Sequence, residues 1–124
     1  LYYNQVFQYL LDAAYYQALA STRIIPGVNN LAIRLPAYIV PLGFDDDQRV
    51  TQFFMVPFFG ACIHLPPPPP NQTIFAEYPQ GLTLESLTEP YWVSGVIKTS
   101  LVENDTAIAA YSMEVHALEV YTDE

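Results

Sequence analysis

The chain has 124 residues, 52% of them hydrophobic and 15% aromatic but only 14% charged. That is enough apolar mass for one folded core, and it does not have the composition of a disordered segment. Four Lys and Arg stand against 13 Asp and Glu, a formal net charge of −9 that would repel phosphate backbones and anionic lipid headgroups, so nucleic-acid binding is not expected. One cysteine excludes an internal disulfide framework and a four-Cys zinc site, and no run of ~18 apolar residues reads as a membrane span.

Residues 1–124 are expected to form one domain. Val6, Phe7, Leu10, Leu11, Ala14 and Ala18 recur at three- and four-residue steps, which predicts an amphipathic helix over residues 1–22 that caps the sheet. Leu1 opens the chain with no initiating Met and no signal-peptide pattern, which leaves room for a removed targeting segment upstream. Pro26 and Gly27 break the helical pattern and mark a connection.

From Leu31 the period becomes two. Leu31, Ile33 and Leu35 alternate with Ala32 and Arg34, with interruptions expected at Pro36 and Pro41. Asp45, Asp46 and Asp47 lie in a turn, either solvated or a weak Ca²⁺ candidate. Residues 50–58 read as a strand with large apolar groups on both faces, hence buried twice or hidden by a partner. The prolines Pro66, Pro67, Pro68, Pro69 and Pro70 donate no backbone hydrogen bonds and predict a polyproline II rod. Strand character returns at residues 73–76, and one helical turn is expected near residues 84–87. A fourth strand is expected over residues 90–101, with Gly95 as a bulge or barrel kink. A turn follows at residues 102–105, then a strand over residues 109–121 whose alternation slips near Ala117.

The expected fold is mainly β: a small five-stranded antiparallel barrel, OB-like, over residues 31–121, with the N-terminal helix. The alternative is a meander sandwich with a helix on one face.

The densest chemistry is Cys62-Ile63-His64 ahead of the prolines. Side chains two apart on an extended segment share a face, so Cys62 and His64 are candidate ligands for Zn²⁺ or Cu(I), or a pair in which an imidazolium lowers the thiol pKa. A closed zinc site needs four ligands and an open one three, so His116 or Glu114 is the candidate third donor if the last strand lies beside this loop. Each has a plainer reading: Cys62 as a buried small hydrophobe, His64 bonded to a backbone carbonyl, His116 as a solvated strand residue. The prolines, with Asn71 and Gln72, are a candidate interaction loop, and the ten tyrosines a candidate stacking surface for sugars or peptides.

The stretch Gly60-Ala61-Cys62-Ile63-His64-Leu65, the five prolines and Asn71-Gln72 are distinctive. With Leu35-Pro36-Ala37-Tyr38-Ile39-Val40-Pro41-Leu42 and Phe54-Met55-Val56-Pro57-Phe58, they resemble a family of bacterial secreted proteins and lipoproteins of unknown function. The resemblance runs over residues 31–121, with Ala37 and Phe58 in place of a usual glycine and tyrosine. It implies an envelope or periplasmic location and genes often near a zinc-responsive ABC transporter. It brings no established activity, and it raises metal handling at Cys62 and His64.

Three readings follow. The first is a non-catalytic periplasmic binding or accessory domain, a metal handler through the 62–72 loop. The second is a structural or interaction domain using the proline loop and residues 50–58 against an envelope partner or a second copy. The third is a thiol enzyme using Cys62 and His64.

Overall fold

The computed structural model describes residues 23–57, 70–84, 88–104 and 107–121. Five strands close a barrel: β1 (Leu31–Phe44), β2 (Val50–Val56), β3 (Ile74–Leu82), β4 (Tyr91–Lys98) and β7 (Tyr111–Val120), in the order β1-β2-β3-β7-β4. Between β4 and β7 lies a two-stranded ribbon of β5 (Val102–Glu103) and β6 (Ile108–Ala109). The sandwich alternative is thus excluded. So is an all-antiparallel barrel, because β3 and β7 pair in parallel, from Ile74↔Tyr111 to Glu77↔Glu114. The predicted helix over residues 1–22 lies outside the described residues. The first described element is a single 3-10 turn, Pro26–Val28.

β1 runs unbroken through Pro36 and Pro41, where interruptions were expected. The reason is that it changes partner midway. Residues 31–37 pair with β4, and from Tyr38 onward the strand pairs with β2. Each half has one side without a ladder, so a proline there forfeits no hydrogen bond. Ala37 and Ile39, at the changeover, are buried in the barrel.

The interior is built from one face of every strand. Ile39, Val50, Phe53, Met55, Ala76, Tyr91, Val93, Ile97, Met113 and Val115 form its core. Alternation on β4 is regular, with Tyr91, Val93, Gly95 and Ile97 inward. β2 is buried on both faces, as its composition predicts: Phe53 is fully buried in the barrel, and Phe54 and Val56 point to the outer face. There they join Tyr38, Val40, Leu42, Phe75, Ala107 and Ala109 in a second apolar cluster. Phe54 meets Phe75 edge-on at 6.0 Å, and Ala109 of β6 covers part of this face.

The bulge expected near Ala117 is present. Gly95 pairs with Val115 and Ser94 with Ala117, so His116 is the extra residue. A Cβ on Gly95 would collide with the Glu114 carbonyl oxygen and lie 3.0 Å from the Val115 Cα. β4 and β7 therefore approach more closely here than any other residue type permits. The fourth strand ends at Lys98 rather than Leu101, and the region expected as a plain turn at residues 102–105 carries β5.

The acidic run organises the β1–β2 turn. Asp45 Oδ1 accepts from the Asp47 and Arg49 backbone N–H groups, each at 2.9 Å, and Oδ2 accepts from Arg49 Nε at 2.9 Å. Gln48 takes a positive φ of 63° to complete the turn. These donors, the Arg49 backbone first, hold the Asp45 carboxyl below its ordinary value of 3.8.

Two outcomes are expected. Phe54→Ala should cost about 3–5 kcal/mol in chemical denaturation, as for a filled core, and a loss near zero would show the outer cluster to be loosely packed. Asp45→Asn should lower the Tm at neutral pH. Because the folded pKa is depressed, the Asp45 contribution is complete above 3.8 and is lost as pH falls through the lowered value. The Tm gap between the two proteins should therefore close only below pH 3.8, and a gap that closes at higher pH would assign the effect elsewhere.

Candidate functional site

The segment bearing Cys62 and His64 connects β2 to β3, and its two roots are held on the barrel. Pro57 follows β2 directly, and the chain returns through the 3-10 turn Pro70–Gln72. Pro70, expected as the end of a proline rod, is instead the buried first residue of this turn. Its carbonyl accepts from Thr73 N at 3.2 Å and from Ala110 N at 2.8 Å, which pins the return to both β3 and β7. Cys62, His64 and residues 66–69 lie outside the described residues.

Both roots border one apolar surface. Pro57 and Gln72 face each other across a depression of about 80 Å³, with Met55 and Ile74 among its walls. It shares Pro36, Ala37 and Pro57 with a larger notch of about 170 Å³, completed by Tyr38, Pro90 and Tyr121. Prolines and tyrosine rings offer flat, rigid walls that suit an apolar side chain or an extended peptide.

Beside this notch stands a stack that sequence reading missed. Trp92 is half-buried on the outer face of β4, paired with Pro36 on one side and Glu119 on the other. The Arg34 guanidinium lies over its ring, 4.2 Å from the centroid, and the Tyr121 ring lies 5.1 Å away. Arg34 also reaches Glu119 at 3.5 Å. Both partners are exposed, so the ion pair contributes little, and the stack itself is the main contact. Alternation marks Arg34 and Trp92 as outward, but only the β1–β4 register makes them diagonal neighbours.

His116 is exposed on β7 at the bulge. With Glu77, Pro79, Gln80, Glu114 and Val115 it lines an open depression of about 420 Å³ between β3 and β7. Glu77 and Glu114 are register partners there. Among the described residues, no three His, Cys, Asp or Glu side chains come together in a way that could hold a metal ion. Any third donor beside His116 and Glu114 would therefore lie outside the described residues, as Cys62 and His64 do. The Asp45–Asp47 turn is committed to Arg49 instead of offering a Ca²⁺ site.

The described tyrosines do not form one stacking surface. Tyr91 and Tyr111 face the core, and the Tyr111 hydroxyl accepts from Ile25 N at 2.9 Å, which ties the entry segment to β7. Tyr38 and Tyr121 remain at the notch.

Three comparisons place the chain among known proteins. A family model described as a protein of unknown function, DUF3299, matches residues 3–120. This range is wider than the resemblance over residues 31–121, since it reaches into the N-terminal segment. A crystal structure of a DUF3299 family protein from Pseudomonas aeruginosa PAO1 is similar at 32% identity with a TM-score of 0.79, covering 91% of this chain and 82% of that one. Among curated proteins no match is found. No helix among the described residues is long and apolar enough to cross a membrane.

The single tryptophan makes the stack measurable. Arg34→Ala should uncover Trp92, raising its quenching by neutral acrylamide and shifting its emission to the red. Unchanged quenching would mean that Tyr121 alone shields the ring.

Proposed function

Starting from a chain that belongs to the DUF3299 family, we propose that this protein is a non-catalytic binding or accessory domain of the bacterial envelope, acting through the 62–72 loop. The observation that carries the reading is the common seat of the loop's roots. Pro57 and Gln72 line one depression, contiguous with the Tyr38–Tyr121 notch. The connection over residues 58–69 leaves and rejoins the barrel at this proline- and tyrosine-walled surface, and such a connection suits a binding loop on a rigid scaffold. The strand order supports the same view. A closed mixed barrel of five strands is compatible with the OB-like scaffold expected from the sequence, which binds through its surface and loops.

In its metal form the proposal takes Zn²⁺ or Cu(I) as ligand, with Cys62 and His64 as donors and His116 as the third. The thiolate and imidazole two residues apart support this chemistry, and the resemblance to secreted proteins and lipoproteins supports the envelope location.

The interaction reading keeps the proline loop but loses the strand over residues 50–58. Phe53, Phe54, Met55 and Val56 are all buried within this chain, so β2 has no apolar face left for a second copy. The thiol-enzyme reading needs a reactive Cys62.

Calorimetry on the reduced, metal-free protein with Zn²⁺ and with Cu(I) tests the metal form. One site per chain, weakened at least tenfold by Cys62→Ala and by His64→Ala, is the expected result. Equal binding by the parent and both variants would overturn it. Alkylation of Cys62 across pH 5–9 separates the enzyme reading, which requires a thiolate well below its ordinary pKa near 8.5.

A further inference from the structure

The barrel wall is incomplete between β3 and β7. Their parallel ladder stops at Glu77↔Glu114. Beyond that point β3 continues beside β2 to Val50↔Leu82, with Tyr78, Pro79, Gln80 and Gly81 opposite the single residue Thr51, an excess of three. β7 turns through the His116 bulge and continues beside β4 to Tyr91↔Val120. The strands part around the open depression of about 420 Å³ described above.

This leaves β7 with a free side. From His116 to Val120 it has β4 along one edge and no described strand along the other. His116, Ala117, Glu119 and Val120 are exposed, Val120 to 47%. The two sides of the gap are not equivalent. β3 carries Pro79, which cannot donate to an added ladder, whereas β7 has no proline between His116 and Val120.

Charge then selects what fits. Glu77 and Glu114 sit side by side at the last rung of the ladder, an arrangement of like charges that destabilises a sheet. Neither carboxylate pairs with Arg34, Arg49 or Lys98: Arg34 pairs with Glu119, Arg49 with Asp45 and Asp47, and Lys98 bonds Asn30. A second copy of this chain carries the same net charge of −9 and would be repelled.

We propose that the free edge of β7 over residues 116–120 is a docking site for an extended, Lys- or Arg-bearing segment of a partner protein. The segment adds as a strand, its backbone bonding to β7 and a cationic side chain lying against Glu77 and Glu114. Backbone pairing supplies the affinity and the carboxylate pair the preference for cationic sequences. The inference uses neither Cys62 nor His64, and it shares with the metal reading only His116, through its backbone.

The test uses the full chain with EDTA present and three capped hexapeptides: Lys-Val-Lys-Thr-Val-Lys, its counterpart with Glu for each Lys, and the Lys peptide N-methylated at alternate residues. Amide hydrogen exchange is followed by NMR. The Lys peptide should slow exchange at those amides of residues 116–120 that point away from β4, and the Glu and N-methylated peptides should not. Glu77→Lys with Glu114→Lys should weaken the Lys peptide by roughly tenfold or more, with Trp92 emission confirming that the fold is kept. Binding should also fall with added salt. Equal protection by the Glu peptide, retained binding of the N-methylated peptide, or protection of these amides in the free protein would each overturn the proposal. The last would show that the chain already covers its own edge.

Discussion

The barrel depends on a single strand that serves two neighbours in succession. Fourteen residues of β1 hand over from β4 to β2 at Ala37 and Tyr38, and this coiling closes the wall. Closure removes sheet edges that would otherwise need covering, except where β3 and β7 part beyond Glu77↔Glu114. It also explains where the prolines stand. Pro36 and Pro41 lie on stretches that owe a ladder to one side only, so the strand tolerates them. The changeover places Ala37, with Pro36 and Tyr38, beside Pro57, which is where the depression and the notch open. The surface at the roots of the 62–72 loop is thus a direct product of the strand's bend.

A second constraint acts where β4 meets β7. β4 and β7 pack at Gly95 too closely for a Cβ, and β7 accommodates this by carrying His116 as an unpaired extra residue. The bulge turns β7 toward β4 and away from β3. The parallel ladder therefore ends after four pairs, with Glu77 and Glu114 at its last rung. One glycine thus underlies the bulge, the exposed histidine and the gap in the wall.

Much of this was legible in the residues. Period-two alternation located β1 and β7, strand composition located β2, β4 and the first part of β3, and the aromatic content of β2 on both faces announced its double burial, realised by Phe53 inside and Phe54 outside. Gly95 and the slip near Ala117 pointed to the bulge because both break a local pattern. The parallel pairing of β3 with β7 was not legible, since alternation reports which face a residue takes and is silent on the direction of a neighbouring strand. The Arg34–Trp92–Tyr121 stack and the Glu77–Glu114 pair were missed for the same reason. Their members are 29 to 58 residues apart, and only register makes them neighbours.

The sequence by itself determined the class of fold, the inward and outward faces of each strand, the acidic surface and the family, because these follow from local pattern, composition and motif. Tertiary structure alone decided which strands are neighbours, where the wall closes and where it parts, and that β2 is spent on this chain's own core. Those outcomes depend on hydrogen-bond register between distant segments, and register is set when whole faces are buried together, not by any residue read alone.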